Sequence, residues 1–548
     1  MNKNTYDYII VGSGSAGAII ASRLVANGKN SVLLLEAGPK DNSLLFRIPA
    51  AMRYAYNARK YNWNYETEPE PFLNNRRLYQ PRGKVLGGSS SINGMLYLRG
   101  NPMDYEAWSQ QGARGWSYSE VLPYFKKLER RIDQESNYHG TKGLVKVSTV
   151  TKLELLSKAF LEAGKQAGYL SSKDVNGFQQ DGFGLFPKNI SNGLRSSTSQ
   201  SYLQDPPSNL HIKTDCYVKQ LILNGKKVLG VDYLQNNKNL KAYCNKEVIL
   251  SAGAFNSPLI LLRSGIGSAH QLKEHGIEVI HHLPGVGENL SDHPCTAIHV
   301  QCTKPITLYK HLNLFSMTKG FINWLLTKKG FLTSNHFDVV GFIRTKAGIR
   351  FPNLQIALFP IGVEEGSNNF VKEHRFQLQI STQHPLSRGW VRLGSKDPFA
   401  DPKIKFNLLE HPNDVDELIT GFNLARELLK KPALSIYTGK EIIPGKNTQT
   451  KQEFEVWLRE NCNSSYHPNG TCKMGDDPMA VVDSECRVYG INNLRVADAS
   501  IMPTIPSCNL NCPTMMIGEK ASDIILKNPT LKSNLSYFID PNWEKYQR

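Results

Sequence analysis

Near the start of the chain, short apolar runs alternate with glycine turns and a helical period. Tyr6–Val11 reads as a buried strand, Gly12-Ser13-Gly14-Ser15-Ala16-Gly17 as a turn, and the stretch to about Asn27 as a helix. Ser31–Leu35 then reads as a second strand that closes on Glu36. In this βαβ order Gly12 permits the tight turn, Gly14 lets backbone N–H groups approach a pyrophosphate, and Gly17 lets the helix lie close to the sheet. The helix start adds partial positive charge for phosphates. Glu36, 19 residues after Gly17, stands where an acid accepts hydrogen bonds from a ribose diol. A lone GxGxxG is weak evidence; with strand, helix and acid all in place it predicts a bound dinucleotide.

Further strand-like runs lie far downstream, at Leu210–Lys213, Glu247–Ala252 and Leu494–Ala497. A parallel sheet is assembled from elements adjacent in space, whatever their distance in sequence. The expected fold class is therefore α/β, with a discontinuous Rossmann-like domain built from residues 1–155, 190–300 and 456–530. An inserted substrate domain, expected to hold an antiparallel sheet and helices, would span 301–455 with part of 156–189, and 531–548 would form a tail. Within the insertion, Leu312–Lys329 mixes Leu, Phe, Ile and Trp with Lys319, Lys328 and Lys329. Such a basic amphipathic segment either packs on its own domain or rests on a bilayer.

Composition narrows the class. With 548 residues, 40% hydrophobic and 21% charged, the chain has the makeup of an ordinary globular protein with ample core. No apolar run approaches the length of a membrane span. The apolar stretch Ile9–Ala21 follows Asp7 and is broken by glycines, which favours the nucleotide turn over a secretion signal. The nine cysteines are scattered and odd in number, the pattern of reduced thiols in a cytoplasmic enzyme. His467, Cys472, Cys508 and Cys512 share one late region, but no CxxC pair is present and no metal site is expected. The net charge is +17, without a basic run or aromatic-basic motif, so no nucleic-acid partner is expected.

A second glycine cluster runs from Arg82 through Gly87-Gly88-Ser89-Ser90-Ser91-Ile92-Asn93-Gly94-Met95. Small residues at this density let a backbone wrap closely around a flat or charged ligand. Later come Ser251-Ala252-Gly253-Ala254, the segment Gly285–His293, Tyr466-His467-Pro468-Asn469-Gly470-Thr471-Cys472, Val496-Ala497-Asp498-Ala499 and Asn509-Leu510-Asn511-Cys512-Pro513-Thr514.

Taken in this order, these segments resemble the glucose–methanol–choline (GMC) oxidoreductases, which bind FAD, over nearly the full length. Within the family the likeness is greatest to bacterial choline dehydrogenases, through residues 61–77, 88–101, 334–344 and 366–374. The resemblance implies that Gly12, Gly14, Ser15, Gly17, Glu36 and Ala37 hold the ADP half of FAD. Arg82, Gly87, Gly88, Ser89, Asn93, Gly94 and Met95 would line the pyrophosphate and the flavin edge, and Val218 would touch adenine. Ala252, Asp498, Ala499, Pro513 and Thr514 would complete the cofactor site. His467 matches the family's active-site histidine and Asn511 its His/Asn partner, with Asn509 the alternative for that second role.

The implied reaction is oxidation of a primary alcohol to an aldehyde. His467 takes the hydroxyl proton, and the resulting alkoxide drives hydride to flavin N5. Covalent members carry a flavin-linking histidine where this chain has Ile92, so FAD is expected to be bound non-covalently. Choline-specific relatives place a glutamate near the trimethylammonium, in a segment aligned here with Gln301-Cys302-Thr303-Lys304-Pro305. Gln301 at the acid position leaves choline as the leading substrate and aliphatic or aromatic alcohols open. The electron acceptor is expected to be a quinone or respiratory chain, with O₂ as the alternative, in the cytoplasm or on the inner face of the membrane. A lyase with a spectator flavin stays open as a non-redox reading.

Overall fold

The computed structural model describes residues 4–133, 136–364 and 369–548; residues 366–368 of the choline dehydrogenase-like segment 366–374 lie outside it. Four strands predicted from the apolar runs lie side by side in one sheet, in the order Leu210–Lys213, Val32–Leu35, Thr5–Val11 and Lys238–Leu250, all parallel. Leu494–Val496 adds to the end of Lys238–Leu250, also in parallel. Val32–Leu35 is buried along its whole length, as expected of a strand covered on both faces.

Lys238–Leu250 has two roles. Its second half pairs with Thr5–Val11, while its first half carries an antiparallel pair, Lys227–Gln235 and then Cys216–Asn224. The apolar-run reading did not foresee this extension.

The second sheet is antiparallel throughout, ordered Thr438–Ile443, Pro294–Cys302, Arg375–Thr382, Leu354–Phe359, Val339–Ile343 and Gly182–Leu185. Pro294–Cys302 belongs wholly to it, so the boundary expected at 300 moves to residue 293. The helix Pro412–Lys430 covers one face. Gly421 permits the approach, because a Cβ there would stand 2.7 Å from Ile380 and 3.0 Å from Leu354. No described helix is long and apolar enough to cross a membrane.

The last long helix, Asn511–Ile525, packs against the first, Gly17–Val25. A Cβ at Gly518 would lie 2.9 Å from the Ala16 carbonyl, so glycine sets that distance. Arg23 Nη2 meets the buried Glu519 carboxylate at 2.7 Å, and Tyr202 donates to the same oxygen at 2.8 Å. The clamp joins segments 496 residues apart.

A Cβ on Gly17 would fall 1.9 Å from the Gly12 carbonyl and 3.0 Å from Ser251 Cβ. Gly17→Val should therefore cost about 1–3 kcal/mol or more through forced backbone shifts. Thermal unfolding checks this, and a melting curve that coincides with the parent's would overturn that account of the turn.

Candidate active site

One cavity of about 1350 Å³ is lined by residues of both sheets, larger than the usual small-molecule pocket and roomy enough for a large cofactor with a substrate. Three helix starts converge on it: Gly14–Ala16 before the first helix, Ala252–Ala254 at Gly253–Arg263, and Leu510, Asn511 and Thr514 at the last helix. The positive ends of these helices favour negative charge inside.

The glycines divide into two kinds. Gly12 has φ +95°, and a Cβ there would strike the Ser251 carbonyl at 2.5 Å. At Gly14 and Gly253 an added Cβ meets nothing within 4 Å, and at Gly94 only Met52 at 3.9 Å. All three line the cavity, so they form a cradle that side chains would fill. That open backbone, the helix starts and the volume fit FAD.

Most expected cofactor residues line this space. They include Gly12, Gly14, Ser15, Glu36 and Ala37; Arg82, Gly88, Ser89, Asn93, Gly94 and Met95; and Val218, Ala252, Asp498, Ala499 and Thr514. Gly17, Gly87 and Pro513 are not on the cavity surface; Gly17 instead seats the first helix against the Gly12 carbonyl and Ser251, as its place in the turn predicts. Gly87 turns at φ +87°, where a Cβ would hit Ser91 Oγ at 2.3 Å. Pro513 is buried in the first turn of the last helix, where its missing N–H costs nothing.

Glu36 is buried. Its carboxylate accepts from Ser13 N–H at 3.0 Å, Ser13 Oγ at 2.6 Å and Gly38 N–H at 2.9 Å, and burial raises its pKa above the usual glutamate value. Ser13 Oγ in turn accepts from Gly87 N–H at 3.1 Å. The acid thus ties the first glycine turn to the second. Asp498 caps the middle helix in a similar way, accepting from Gly253 N–H at 2.8 Å and from Ser257 Oγ at 2.6 Å.

His467 is partly buried and stands between two side chains. Asn509 Nδ2 lies 3.0 Å from its Nε2, and His293 Nδ1 lies 3.0 Å from its Nδ1. With the Asn509 amide in this orientation its nitrogen donates to Nε2, which leaves the ring proton on Nδ1, directed at His293. Burial, with Arg82 adding repulsion, pushes the His467 pKa down to about 3, which keeps the ring neutral. Asp292 fixes the backbone beneath it, with Oδ1 accepting from the N–H groups of His293 at 2.7 Å and His467 at 2.9 Å. Its other oxygen accepts from Ser464, and burial raises the carboxyl pKa to about 6. Tyr466, the residue before the histidine, takes the left-handed φ of +63° that turns the imidazole into the cavity.

The pairing expected between His467 and Asn511 is corrected. The last helix begins at Asn511, whose Oδ1 accepts from Ser15 Oγ at 2.7 Å. Asn509, in the turn before the helix, is the asparagine that meets the histidine. Its Oδ1 and Asn511 Nδ2 are buried without a partner, as groups facing a bound ligand would be. His293 and Asp292 stand in the Gly285–His293 segment, which sequence reading noticed without giving these two a role.

The antiparallel sheet supplies the far wall. Its cavity face carries rows across the ladder: Cys295, Ser381 and Gln355; Ala297, Gln379 and Ala357; His299, Gln377 and Phe359. Gln301 is the next residue on the same face, but it is exposed, pairs with Arg375 and lies beyond the cavity. The missing carboxylate at 301 therefore carries no information about the substrate. The wall's alternation in Cys295–His299 and Gln377–Ser381 was visible as a period of two, though nothing in it marked which face a ligand meets.

GMC oxidoreductase domains match residues 6–295 and 385–518. The chain is 45% identical to an oxygen-dependent choline dehydrogenase of Vibrio vulnificus, over 99% of this chain and 98% of that one. It is 44% identical to the protein of the same name from Brucella suis, over 99% and 100%. Among solved structures, pyridoxine 4-oxidase from Mesorbium loti superposes with a TM-score of 0.87 at 27% identity, covering 95% of this chain and 99% of that one. A formate oxidase variant of Aspergillus oryzae RIB40, solved in a study of FAD modification, gives a TM-score of 0.89 at 25% identity over 96% and 99%. The chain belongs to the GMC oxidoreductase family and is an FAD-dependent enzyme acting on CH–OH groups.

Proposed function

We propose that this enzyme oxidises a primary alcohol to an aldehyde, with choline to betaine aldehyde the first candidate. The observation that carries the reading is the neutral His467 imidazole, its Nε2 beside Asn509, opening on the same cavity as the glycine cradle. When bound, FAD supplies the acceptor for the hydride that leaves the alcohol carbon. His467 Nε2 takes the hydroxyl proton, so the oxygen's electrons can form the carbonyl as the C–H bond breaks. Asn509 is placed to hydrogen-bond the same oxygen and hold the developing alkoxide. His293, accepting from His467 Nδ1, keeps the proton off the atom that must act as base. Asn511, Ser15 and the helix starts belong to the cofactor.

Choline is supported by the name of the 45%-identical relatives and by the lining near His467. Tyr56 and Tyr466 have ring centroids 6.5 Å apart, and Phe337, Phe359 and Phe370 add further faces to the cavity. Glu364, next to the Val363–Phe370 bridge, brings a carboxylate to the lining. Aromatic faces with one negative charge are what a quaternary ammonium requires. Arg53 stacks on Phe370 at 4.1 Å and is attracted electrostatically by Glu364, so a resident cation shares that carboxylate.

The electrons taken from the alcohol would leave to a quinone of a respiratory chain or to O₂, in the cytoplasm or at the inner face of the membrane. FAD is held non-covalently, since Ile92 lines the cavity and offers no atom for a flavin link.

Four outcomes follow. Substituting His467→Ala should slow anaerobic flavin reduction by roughly 10²–10⁴. Asn509→Ala should slow it by about 10²–10³ with FAD content intact, whereas Asn511→Ala should lower FAD retention; the reverse pattern would overturn the pairing. Choline mixed with the holoenzyme without air should bleach the yellow flavin absorbance, and admitting air or then a quinone identifies the acceptor. Bleaching by uncharged alcohols alone would remove choline and leave alcohol oxidation standing, while no bleaching by any alcohol would favour the lyase reading. Acid precipitation should leave the flavin in the supernatant; a yellow pellet contradicts non-covalent binding.

A further inference from the structure

Residues 293–337 contain no aspartate or glutamate but five lysines, at 304, 310, 319, 328 and 329. Within them lies the helix Leu314–Thr327, started by Asn313, whose side chain accepts from Ser316 N–H at 2.8 Å, and ended by Lys328 at φ +54°. One residue anchors it. Trp324 is buried against Ile48 and Leu332, and its Nε1 donates to the Gly193 carbonyl at 2.8 Å.

Apart from the partly buried Met317, the remaining large apolar side chains are exposed. Leu314 is 84% exposed, Phe315 and Leu326 77%, Ile322 51% and Leu325 50%. Phe315, Ile322 and Leu326 recur at the spacing of one helix face, with Lys319 among them. An uncovered apolar stripe of this kind marks an interaction surface.

The charge around it selects the occupant. Lys310, Lys319, Lys328 and Lys329 border the apolar face on a segment that has no acid of its own, and the chain carries +17 overall. A second copy would bring the same lysines together. Anionic lipid headgroups pair with them instead, while the apolar side chains enter the acyl boundary. We propose that this helix docks the enzyme on an anionic bilayer, lying in the plane of its interface.

Docking has a consequence for the cavity. Ala50 and Ala51 pack with Trp324 and Leu332 beneath the helix, and Met52, Arg53 and Tyr56, directly following, line the cavity. The bilayer would thus face the cavity rim, within reach of an acceptor dissolved in lipid. This use of the docked state rests on the proposed alcohol oxidation; the docking itself does not.

Flotation of the holoenzyme with phosphatidylcholine vesicles, with and without phosphatidylglycerol, tests the proposal. The enzyme should float with the anionic vesicles and be released by salt. Each lysine changed to glutamine among 319, 328 and 329 should weaken binding about five-fold. The combined Phe315→Glu, Ile322→Glu and Leu326→Glu variant should stay unbound. None of these residues lines the catalytic cavity, so anaerobic bleaching by alcohol should persist and show that the variants are folded. The proposal fails if the parent enzyme stays in the supernatant with anionic vesicles, or if the triple variant floats as well. It also fails if the parent is a dimer that this variant converts to a monomer, since a second copy would then cover the face. Flotation without bleaching by any alcohol would sink the functional reading and leave docking intact.

Discussion

The site depends on one close approach, that of the first glycine turn to pieces of chain folded hundreds of residues later. Gly12 can turn only because no Cβ meets the Ser251 carbonyl. Ser15 reaches Asn511 across 496 residues, and Ser13 reaches Gly87 on the other side. Each contact joins a separate wall to the same few backbone atoms. Removing that space would not trim one contact; it would separate the helix starts that line the cavity. The buried Arg23–Glu519–Tyr202 clamp keeps the first and last helices from sliding, and such a buried pair is costly to break because one charge would be left without its partner.

Electrostatically the two ends of the cavity are built differently. At the glycine end, charge is supplied by backbone dipoles, which cost no side-chain ordering and do not titrate. At the histidine end the central group is titratable but held uncharged. Burial keeps His467 neutral, Asn509 and His293 fix which nitrogen is free, and Asp292 holds both backbones. Asp292 itself is less acidic than an ordinary aspartate, with a pKa raised to about 6. It therefore acts mainly by accepting hydrogen bonds, and Arg82 supplies the positive charge nearby.

How much of this was legible in the sequence follows from the range of each signal. The parallel strands were readable because a strand buried on both faces leaves an unbroken apolar run, as Val32–Leu35 does. The antiparallel pair Cys216–Asn224 and Lys227–Gln235 was not, because its mixed burial resembles a surface hairpin. Asn509 and Asn511 are two residues apart, and spacing cannot choose between them. The choice depends on where the helix begins: Asn511 is its first residue and points to Ser15, leaving Asn509 for the histidine. Gln301 failed for a related reason. It has the strand parity of His299, but the strand runs on past the rim of the cavity, and parity does not say where a cavity stops. The helix at 314–327 was foreseen as amphipathic; which face is covered became visible only once Trp324 was seen to be its single buried anchor.

These two building styles also differ in how they tolerate change. A residue such as Gly12 or Asp292 is committed to several backbone partners at once, so replacing it disturbs more than one element. On the sheet wall the ladder hydrogen bonds are made by backbone, and the side chains at 295, 297, 299, 355, 377 and 379 point into the cavity from strands already paired. Exchanging one of them alters the shape and polarity that a substrate meets without removing a rung of the sheet. Under the proposed chemistry, substrate choice is thus separable from cofactor binding and from the base. One GMC scaffold can keep its histidine and glycine cradle while the wall opposite is adapted to a different alcohol.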